Sequence, residues 1–294
     1  MDGGSDMESH IKGNFRIRGI RSTNPVAVGD FVDVQTLTNG TNWITEIEDR
    51  RNYIIRRSTN LSKESHILAA NIDQVALIVT VNHPVTSTTF IDRFLATCEA
   101  YRVRALLIFN KIDLLTEDEL AQLAELRALY ESIGYETLAI SAKNLNNADA
   151  PREAINALLQ GNTTLFSGNS GVGKSTLLNA LFGREMTRTG KISDAHDKGM
   201  HTTTFSEMYF LDNGAIIDTP GIKGFGTFDF EREEVSHYFR EIFKVGRHCR
   251  FGNCTHTNEP GCKVLEAVEH GEIAMSRFES YLSLLGDCDE SKYR

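Results

Sequence analysis

Apolar and polar positions alternate along roughly the first sixty residues, as in Asn14-Phe-Arg-Ile-Arg-Gly-Ile-Arg21 and Asp30-Phe-Val-Asp-Val34. A period of two puts every second side chain on one face of an extended chain, so these segments predict half-buried strands. Turn-forming residues at Thr23-Asn-Pro25, Gly29-Asp30 and Thr38-Asn-Gly-Thr41 separate them and predict a small antiparallel sheet or barrel. Near Ala69 the pattern changes. Val75-Ala-Leu-Ile-Val-Thr-Val81, Arg104-Ala-Leu-Leu-Ile-Phe109, Thr137-Leu-Ala-Ile140, Thr163-Thr-Leu-Phe166 and Ala215-Ile-Ile217 are short apolar runs, the pattern of strands covered on both faces. Helical periodicity occupies residues 90–101, 117–133, 151–159 and 175–182, and strands alternating with helices predict a mainly parallel α/β sheet. Beyond residue 230 or so the strand pattern ends, leaving a helix, a cysteine-rich loop and further helices over 263–285.

The chain has 294 residues, 40% hydrophobic and 24% charged, which suits a globular protein of about two domains and excludes disordered, collagen-like and coiled-coil classes. No apolar run approaches the roughly 20 residues that span a bilayer, so no membrane partner is expected. Residues 1–14 lack the basic-then-apolar layout of a secretory signal, and a cytoplasmic location is expected. A formal net charge of -9 argues against a protein that coats nucleic acid, so any RNA contact would be local. Cys249, Cys254 and Cys262 crowd into one loop; in a reducing compartment that points to metal before disulfide. Cys98 falls on an apolar helix pattern and reads as a buried thiol, while Cys288 falls in a polar tail.

Gly168-Asn169-Ser170-Gly171-Val172-Gly173-Lys174-Ser175 fits the phosphate-loop pattern GxxxxGK[ST] and lies between a predicted strand and a predicted helix, as the mechanism requires. Its glycines let backbone N–H groups turn toward phosphates, Lys174 reaches the terminal phosphate oxygens, and Ser175, followed by Thr176, can ligate Mg²⁺. The base is chosen elsewhere. Asn110-Lys111-Ile-Asp113 follows an apolar strand and matches the guanine reader: the acceptor-only carboxylate of Asp113 suits guanine's two neighbouring N–H donors, and Lys111 would lie over the base plane. Ser141-Ala142-Lys143, again just past a strand, supplies backbone that can meet the base oxygen. Together these motifs predict GTP and GDP as ligands.

Asp218-Thr-Pro-Gly221 ends a strand and fits the DxxG element, in which the aspartate holds Mg²⁺ through its shell and the Gly221 N–H senses the terminal phosphate. Between it and the phosphate loop, Gly199-Met-His-Thr-Thr-Thr204 is a candidate switch; chemistry does not choose among its threonines, and Thr203 is carried as the Mg²⁺ candidate. Ile222 stands where many GTPases carry a water-positioning glutamine. An aliphatic side chain cannot orient a nucleophile, so slow intrinsic hydrolysis is expected, with a partner ordering another group. His201 is the nearest candidate catalytic residue beside Lys174, since imidazole exchanges protons near neutral pH; a bystander surface histidine is the other reading.

The base-reading motifs precede the phosphate loop, the reverse of the usual GTPase order, so the domain is circularly permuted. This order, with a β-rich N-terminal region and a C-terminal cysteine cluster, resembles the RsgA family of small-subunit-dependent GTPases. The resemblance implies a multidomain α/β protein: an N-terminal OB-like β-barrel over residues 1–66, a circularly permuted P-loop GTPase α/β domain over 67–229, and a C-terminal helical zinc-binding domain over 230–294. It further implies GTP hydrolysis stimulated by the small (30S) ribosomal subunit, late maturation of that subunit, and contact with its 16S rRNA by a monomeric protein. Met1 to His10 reads as a polar tail where a barrel strand would stand, so either the barrel is open or the tail substitutes.

Cys249, Cys254, His256 and Cys262 offer three thiolates and one imidazole, the inventory of a closed structural Zn²⁺ site; a reduced cysteine-rich loop is the alternative, and the family resemblance favours zinc. Lys12, Arg16, Arg18, Arg21, Arg50, Arg51, Arg56 and Arg57 could meet rRNA phosphates, or simply solvate a sheet. Lys244, Arg247 and Arg250 could form a second contact. Two other functional classes are weighed: a P-loop ATPase or kinase, which Asn110 to Asp113 disfavours, and a non-catalytic RNA-binding scaffold with a vestigial pocket, which the intact Lys174 and Ser175 disfavour.

Overall fold

The computed structural model describes residues 6–11, 25–57, 65–147, 149–183, 206–218 and 230–291. At the N-terminal side, β1 (Ser9–Ile11), β2 (Val32–Thr36) and β3 (Asn42–Ile47) form a three-stranded sheet in the order β1-β3-β2, and β4 (Tyr53–Arg57) pairs antiparallel with β5 (Ser65–Ala70). The end of the polar tail is therefore a strand, not a free extension. Ser9 to Ile11 pair parallel with Asn42 to Ile44, the Asn42 side chain donates to the Glu8 carbonyl (3.0 Å), and His10 packs on Trp43 (5.6 Å between rings). Three residues are too few for a period-two pattern to register, so only the partner strand reveals β1. The strand expected over Asn14 to Arg21, with Lys12, Arg16, Arg18 and Arg21, lies outside the described residues, as do the side chains of Arg56 and Arg57.

The hairpin of β4 and β5 is locked twice where the chain enters and leaves it. Asn52 exchanges two hydrogen bonds with the Ile72 backbone (2.7 and 2.9 Å), and Asp30 grips the buried Arg50 guanidinium through both carboxylate oxygens, each at 2.6 Å. Next come β6 (Gln74–Val79), α1 (Thr88–Ala100), β7 (Arg104–Phe109), α2 (Glu117–Ser132), β8 (Glu136–Ala139), α3 (Asp149–Leu159), β9 (Thr163–Ser167), α4 (Lys174–Phe182), β10 (Glu207–Leu211) and β11 (Gly214–Asp218). The six strands order as β10-β11-β9-β6-β7-β8, all parallel but β10. Every residue of β6 is buried, because its side chains feed two layers: Val75, Leu77 and Val79 face the core with α1 and α2, while Ala76 and Ile78 face the core with α3 and α4. Burial on that scale contributes roughly 1.5–3 kcal/mol per large aliphatic side chain. The edge strand β10 escapes the apolar-run criterion because each of its faces is only partly covered, Met208 packing on one layer and Leu211 on the other while Phe210 stays exposed; the turn Asp212-Asn213-Gly214, a hairpin signature, is the signal that marks it.

The chain then builds a third core from a 3-10 turn (Arg232–Tyr238), α5 (Arg240–Gly246), α6 (Lys263–Glu269) and α7 (Met275–Ser291) around Phe239, Ile242, Val264 and Tyr281. Helix α7 runs past residue 285, which places Cys288 in this core and not in a polar tail. Cys98 is fully buried against the sheet, and burial pushes its thiol pKa up. Helix α1 is shared: Ile91, Phe94 and Leu95 face the sheet while Ala96 enters the third core. Buried arginine clamps fasten this junction. Arg277 of α7, 1% exposed, meets Asp92 of α1 at 2.8 Å and forks onto Glu241 of α5 at 2.6 and 3.1 Å, its guanidinium lying 4.7 Å over Phe239. Tyr130 of α2 donates to the same Asp92 oxygen at 2.9 Å, and Arg240 bonds Glu99 (2.7 Å) and stacks over Tyr135 (4.0 Å).

Removing one member of such a buried set leaves uncompensated charge behind. Arg277→Ala is expected to destabilise the protein by about 3–5 kcal/mol, read as a lower urea midpoint, because Asp92 and Glu241 lose their shared cation.

Candidate functional site

The loops that follow the parallel strands gather at one edge of the sheet, and the phosphate loop follows β9 where the connections diverge. From β9 the chain passes through α4 toward β11; from its neighbour β6 it passes through α1 toward β7. A crevice at such a switch point is where open α/β sheets bind ligands. Gly173 caps α4 in the left-handed region (φ 96°) with no side-chain cap, so the first N–H groups of the helix are left for a ligand anion. A Cβ on Gly173 would stand 2.4 Å from Asn110 Nδ2, and one on Gly168 would stand 2.3 Å from the Ile78 carbonyl, so both positions require glycine.

Asn110 joins the loops. Its Nδ2 donates to the Val172 carbonyl at 2.8 Å, and its Oδ1 accepts from the Ala142 N–H at 2.9 Å, both bonds buried. The side chain that opens the guanine-reading motif thus ties the phosphate loop to Ser141-Ala142-Lys143. The Ala142 N–H is engaged by this tie. Lys111 adopts a left-handed backbone (φ 63°), with Cε 3.9 Å from where a Gly173 Cβ would stand, and Asp113 follows on a 3-10 turn (Ile112–Leu114) with its side chain exposed. The Ser141 hydroxyl and Asp218 Oδ1 are buried without a hydrogen-bond partner among the described residues.

Lys174 and Asp218 face each other electrostatically at the other end. Lys174 Nζ donates to the carbonyls of Gly168 (2.6 Å) and Asn169 (3.2 Å). Burial lowers the lysine pKa while Asp218 raises it; burial pushes the Asp218 carboxyl up to about 6, against the pull of Lys174 and with a push from Glu207. A buried carboxylate oxygen with no donor among the described residues, beside a phosphate loop, is a fit for Mg²⁺, with Ser175 as the second oxygen donor. Asn169, Ser170, Gly171 and Thr176 line the same loop and helix start. His201, Thr203 and Gly221, with Ile222, lie outside the described residues.

The cysteine loop is a second, separate cluster. The ligand atoms of Cys249, Cys254, His256 and Cys262 all lie within 4.8 Å of one another. The Cys249–Cys262 sulfurs are 3.9 Å apart, and His256 Nδ1 is 3.6 and 3.4 Å from them. A tetrahedron with metal–sulfur bonds of about 2.3 Å has edges of about 3.8 Å, so the set fits Zn²⁺ with Nδ1 as the nitrogen donor. Burial pushes the Cys254 thiol up to about 12 and lowers the His256 imidazole, keeping the latter neutral as a metal requires. The loop is shaped by Glu259, whose carboxylate accepts from the Thr255 N–H (2.6 Å), the Thr255 hydroxyl (2.7 Å), the Thr257 N–H (2.9 Å) and the Asn258 N–H (3.1 Å). Burial raises that carboxyl, but these donors outweigh it and bring it down to about 2. The ligand pattern by itself does not single out Glu259; an acid flanked by Thr255, Thr257 and Asn258 is the local signal for it.

A phosphate loop and a guanine-reading loop bound together on a parallel sheet, with the reader earlier in the chain, define a circularly permuted P-loop GTPase. The RsgA GTPase family matches residues 47–228. A protein of Bacteroides thetaiotaomicron named small ribosomal subunit biogenesis GTPase RsgA 2 is 61% identical, covering 100% of this chain and 94% of that protein. One of Porphyromonas gingivalis, named small ribosomal subunit biogenesis GTPase RsgA, is 55% identical over 99% of this chain and 93% of its own length. Among solved structures, YjeQ from Thermotoga maritima superposes with a TM-score of 0.73 at 34% identity, covering 95% of this chain and 89% of that one. YloQ, described as a circularly permuted GTPase, gives 0.71 at 29% identity over 99% and 89%. The chain belongs to the RsgA GTPase family and is a GTP hydrolase.

The cluster's geometry carries a direct expectation. Purified protein should hold one zinc per chain by metal analysis, and stripping it with a strong chelator should lower the thermal midpoint by about 10 °C or more, since a structural metal supplies folding free energy.

Proposed function

We propose that this chain binds GTP with Mg²⁺, docks on the small ribosomal subunit during its late maturation, and hydrolyses GTP to leave. The observation that carries the reading is the Asn110 amide, which bonds the phosphate loop and the Ser141-Ala142-Lys143 loop at once and so makes one pocket of them. Support for the subunit comes from full-length relatives that carry small-subunit biogenesis in their names.

In this reading Asp113 selects guanine, with Lys111 over the base and Ser141, Ala142 and Lys143 closing its far edge. Lys174 and the amides of residues 168–176 hold the phosphates, a role that preorganised positive charge performs best where water is excluded. Ser175 and Asp218, with Thr203, would hold Mg²⁺, which neutralises phosphate charge when bound. The Gly221 N–H senses the terminal phosphate, and His201 is the catalytic candidate that a docked subunit would order. Cys249, Cys254, His256 and Cys262 would hold one structural Zn²⁺. We assign residues 1–66, 67–229 and 230–294 as barrel, GTPase and zinc domains, and place the protein in the cytoplasm as a monomer touching 16S rRNA through the flanking domains. No described helix is long and apolar enough to cross a membrane.

Titrating purified small subunits into the protein at fixed salt tests the whole reading: GTP turnover should rise at least tenfold toward saturation, and excess ATP should not compete. Turnover that stays flat as subunits are added would overturn the subunit-stimulated reading. Asp113→Asn tests the base reader by itself. An amide suits the altered edge of xanthine, so this variant should lose GTP affinity by at least tenfold and gain xanthosine triphosphate, measured by competition binding.

A further inference from the structure

The turn between β6 and α1 belongs to none of the nucleotide motifs, yet it touches two of them. Pro84 lies against the phosphate loop: a Cβ on Gly171 would sit 3.5 Å from its Cδ. The carbonyl of His83 accepts a hydrogen bond from Lys111 Nζ at 2.5 Å. His83, like Lys111, has a left-handed backbone (φ 62° against 63°). Side chains other than glycine take that conformation at a cost, so both positions need surrounding bonds to hold them.

Asn82 supplies those bonds. Its Oδ1 accepts from the His83 N–H at 2.8 Å, and its Nδ2 donates to Glu119 Oε1 on the first turn of α2. Glu119 is itself fixed by a capping box, its Oε2 accepting from the Thr116 N–H at 2.9 Å while its own N–H donates to the Thr116 hydroxyl at 3.4 Å. Thr80 closes the turn from behind through its hydroxyl, which donates to the Pro84 carbonyl at 2.5 Å. A continuous path of side chains thus runs from the helix after the base reader, through Asn82, to the carbonyl that pins the lysine.

A free lysine samples many rotamers, and ordering it on binding opposes affinity. Held by His83, the Lys111 stem lies beside Gly173 as a ready-made apolar platform for a purine face. We propose that Asn82 and Glu119 are positioning residues that fix Lys111 over the nucleotide pocket and thereby set how slowly a guanine nucleotide leaves. The inference rests on the assignment of residues 110–113 as the base reader.

The test is release of a fluorescent GDP analogue, followed by stopped flow, with thermal melting as a check on folding. Asn82→Ala should speed release about fivefold, the size of one lost positioning hydrogen bond. In a Lys111→Ala background the same change should add nothing. Asn82→Asp alone sets a carboxylate against Glu119 and should also release fast. Combining Asn82→Asp with Glu119→Gln reverses donor and acceptor, keeps the bond to the His83 N–H, and should restore slow release. Unchanged release in Asn82→Ala, equal acceleration with and without Lys111, or no rescue by the swapped pair would each overturn the proposal. If Asp113→Asn switches base preference while Asn82→Ala is silent, the brace alone fails; if Asp113→Asn does not switch it, the base-reader assignment fails and the proposal with it.

Discussion

One side-chain amide holds the nucleotide pocket together. Asn110 is 2% exposed, and its donor and acceptor are both spent within the protein, on Val172 and Ala142. A buried amide is stable only when both ends are satisfied, so the two loops it bridges are held in one relative position. The glycine at 173 follows from the same contact, since no Cβ fits beside that amide. Lys111, Asp113 and Lys174 take their places on the loops that this amide joins.

The permuted order matters because of what it places in line with α1. This helix starts from the turn that touches Gly171 and Lys111, and along its length Asp92 and Glu99 anchor the C-terminal helices through Arg277 and Arg240. The phosphate-loop crevice and the cysteine cluster are therefore ends of one packed path, closed by the Tyr281 hydroxyl of α7 on the Thr255 carbonyl. The covalent route through the segment after Asp218 is a second connection between the same two regions. Metal at the cysteine loop would stabilise the unit that carries Arg277, so the cluster's structural task and the clamp on α1 are parts of one assembly.

The net charge of -9 and the local arginines serve different ends. Arg50, Arg240 and Arg277 are spent on carboxylates of the protein itself, Arg50 within the N-terminal region and Arg240 and Arg277 between α1 and the C-terminal helices. Arg247 and Arg250, beside the cysteine loop, are exposed and lie over the Phe243 and Phe251 rings. A count of basic residues along the chain could not separate these two groups, because burial and partners belong to the fold.

Runs of apolar residues wrote the parallel strands into the sequence, because a strand covered on both faces needs every side chain to be apolar. The phosphate and base motifs were equally plain, since their chemistry restricts residue type at fixed spacing within a few positions. Cys249, Cys254, His256 and Cys262 could be read as a candidate metal cluster from residue type, with the family resemblance favouring zinc, and the fold brings their ligand atoms together. What stayed hidden has little or no local signature: β1 exists only because Asn42 to Ile44 lie beside it, and β10 is marked by nothing but the turn at Gly214 that brings it back along β11. The roles of Asn82, Glu119, Arg277 and Asn110 depend on partners between 32 and 185 positions away, on loops and helices that meet only in space. Local spacing determined which groups this protein owns; packing decided which of them face one another, because a hydrogen bond is made by distance in space and sequence separation does not enter its energy.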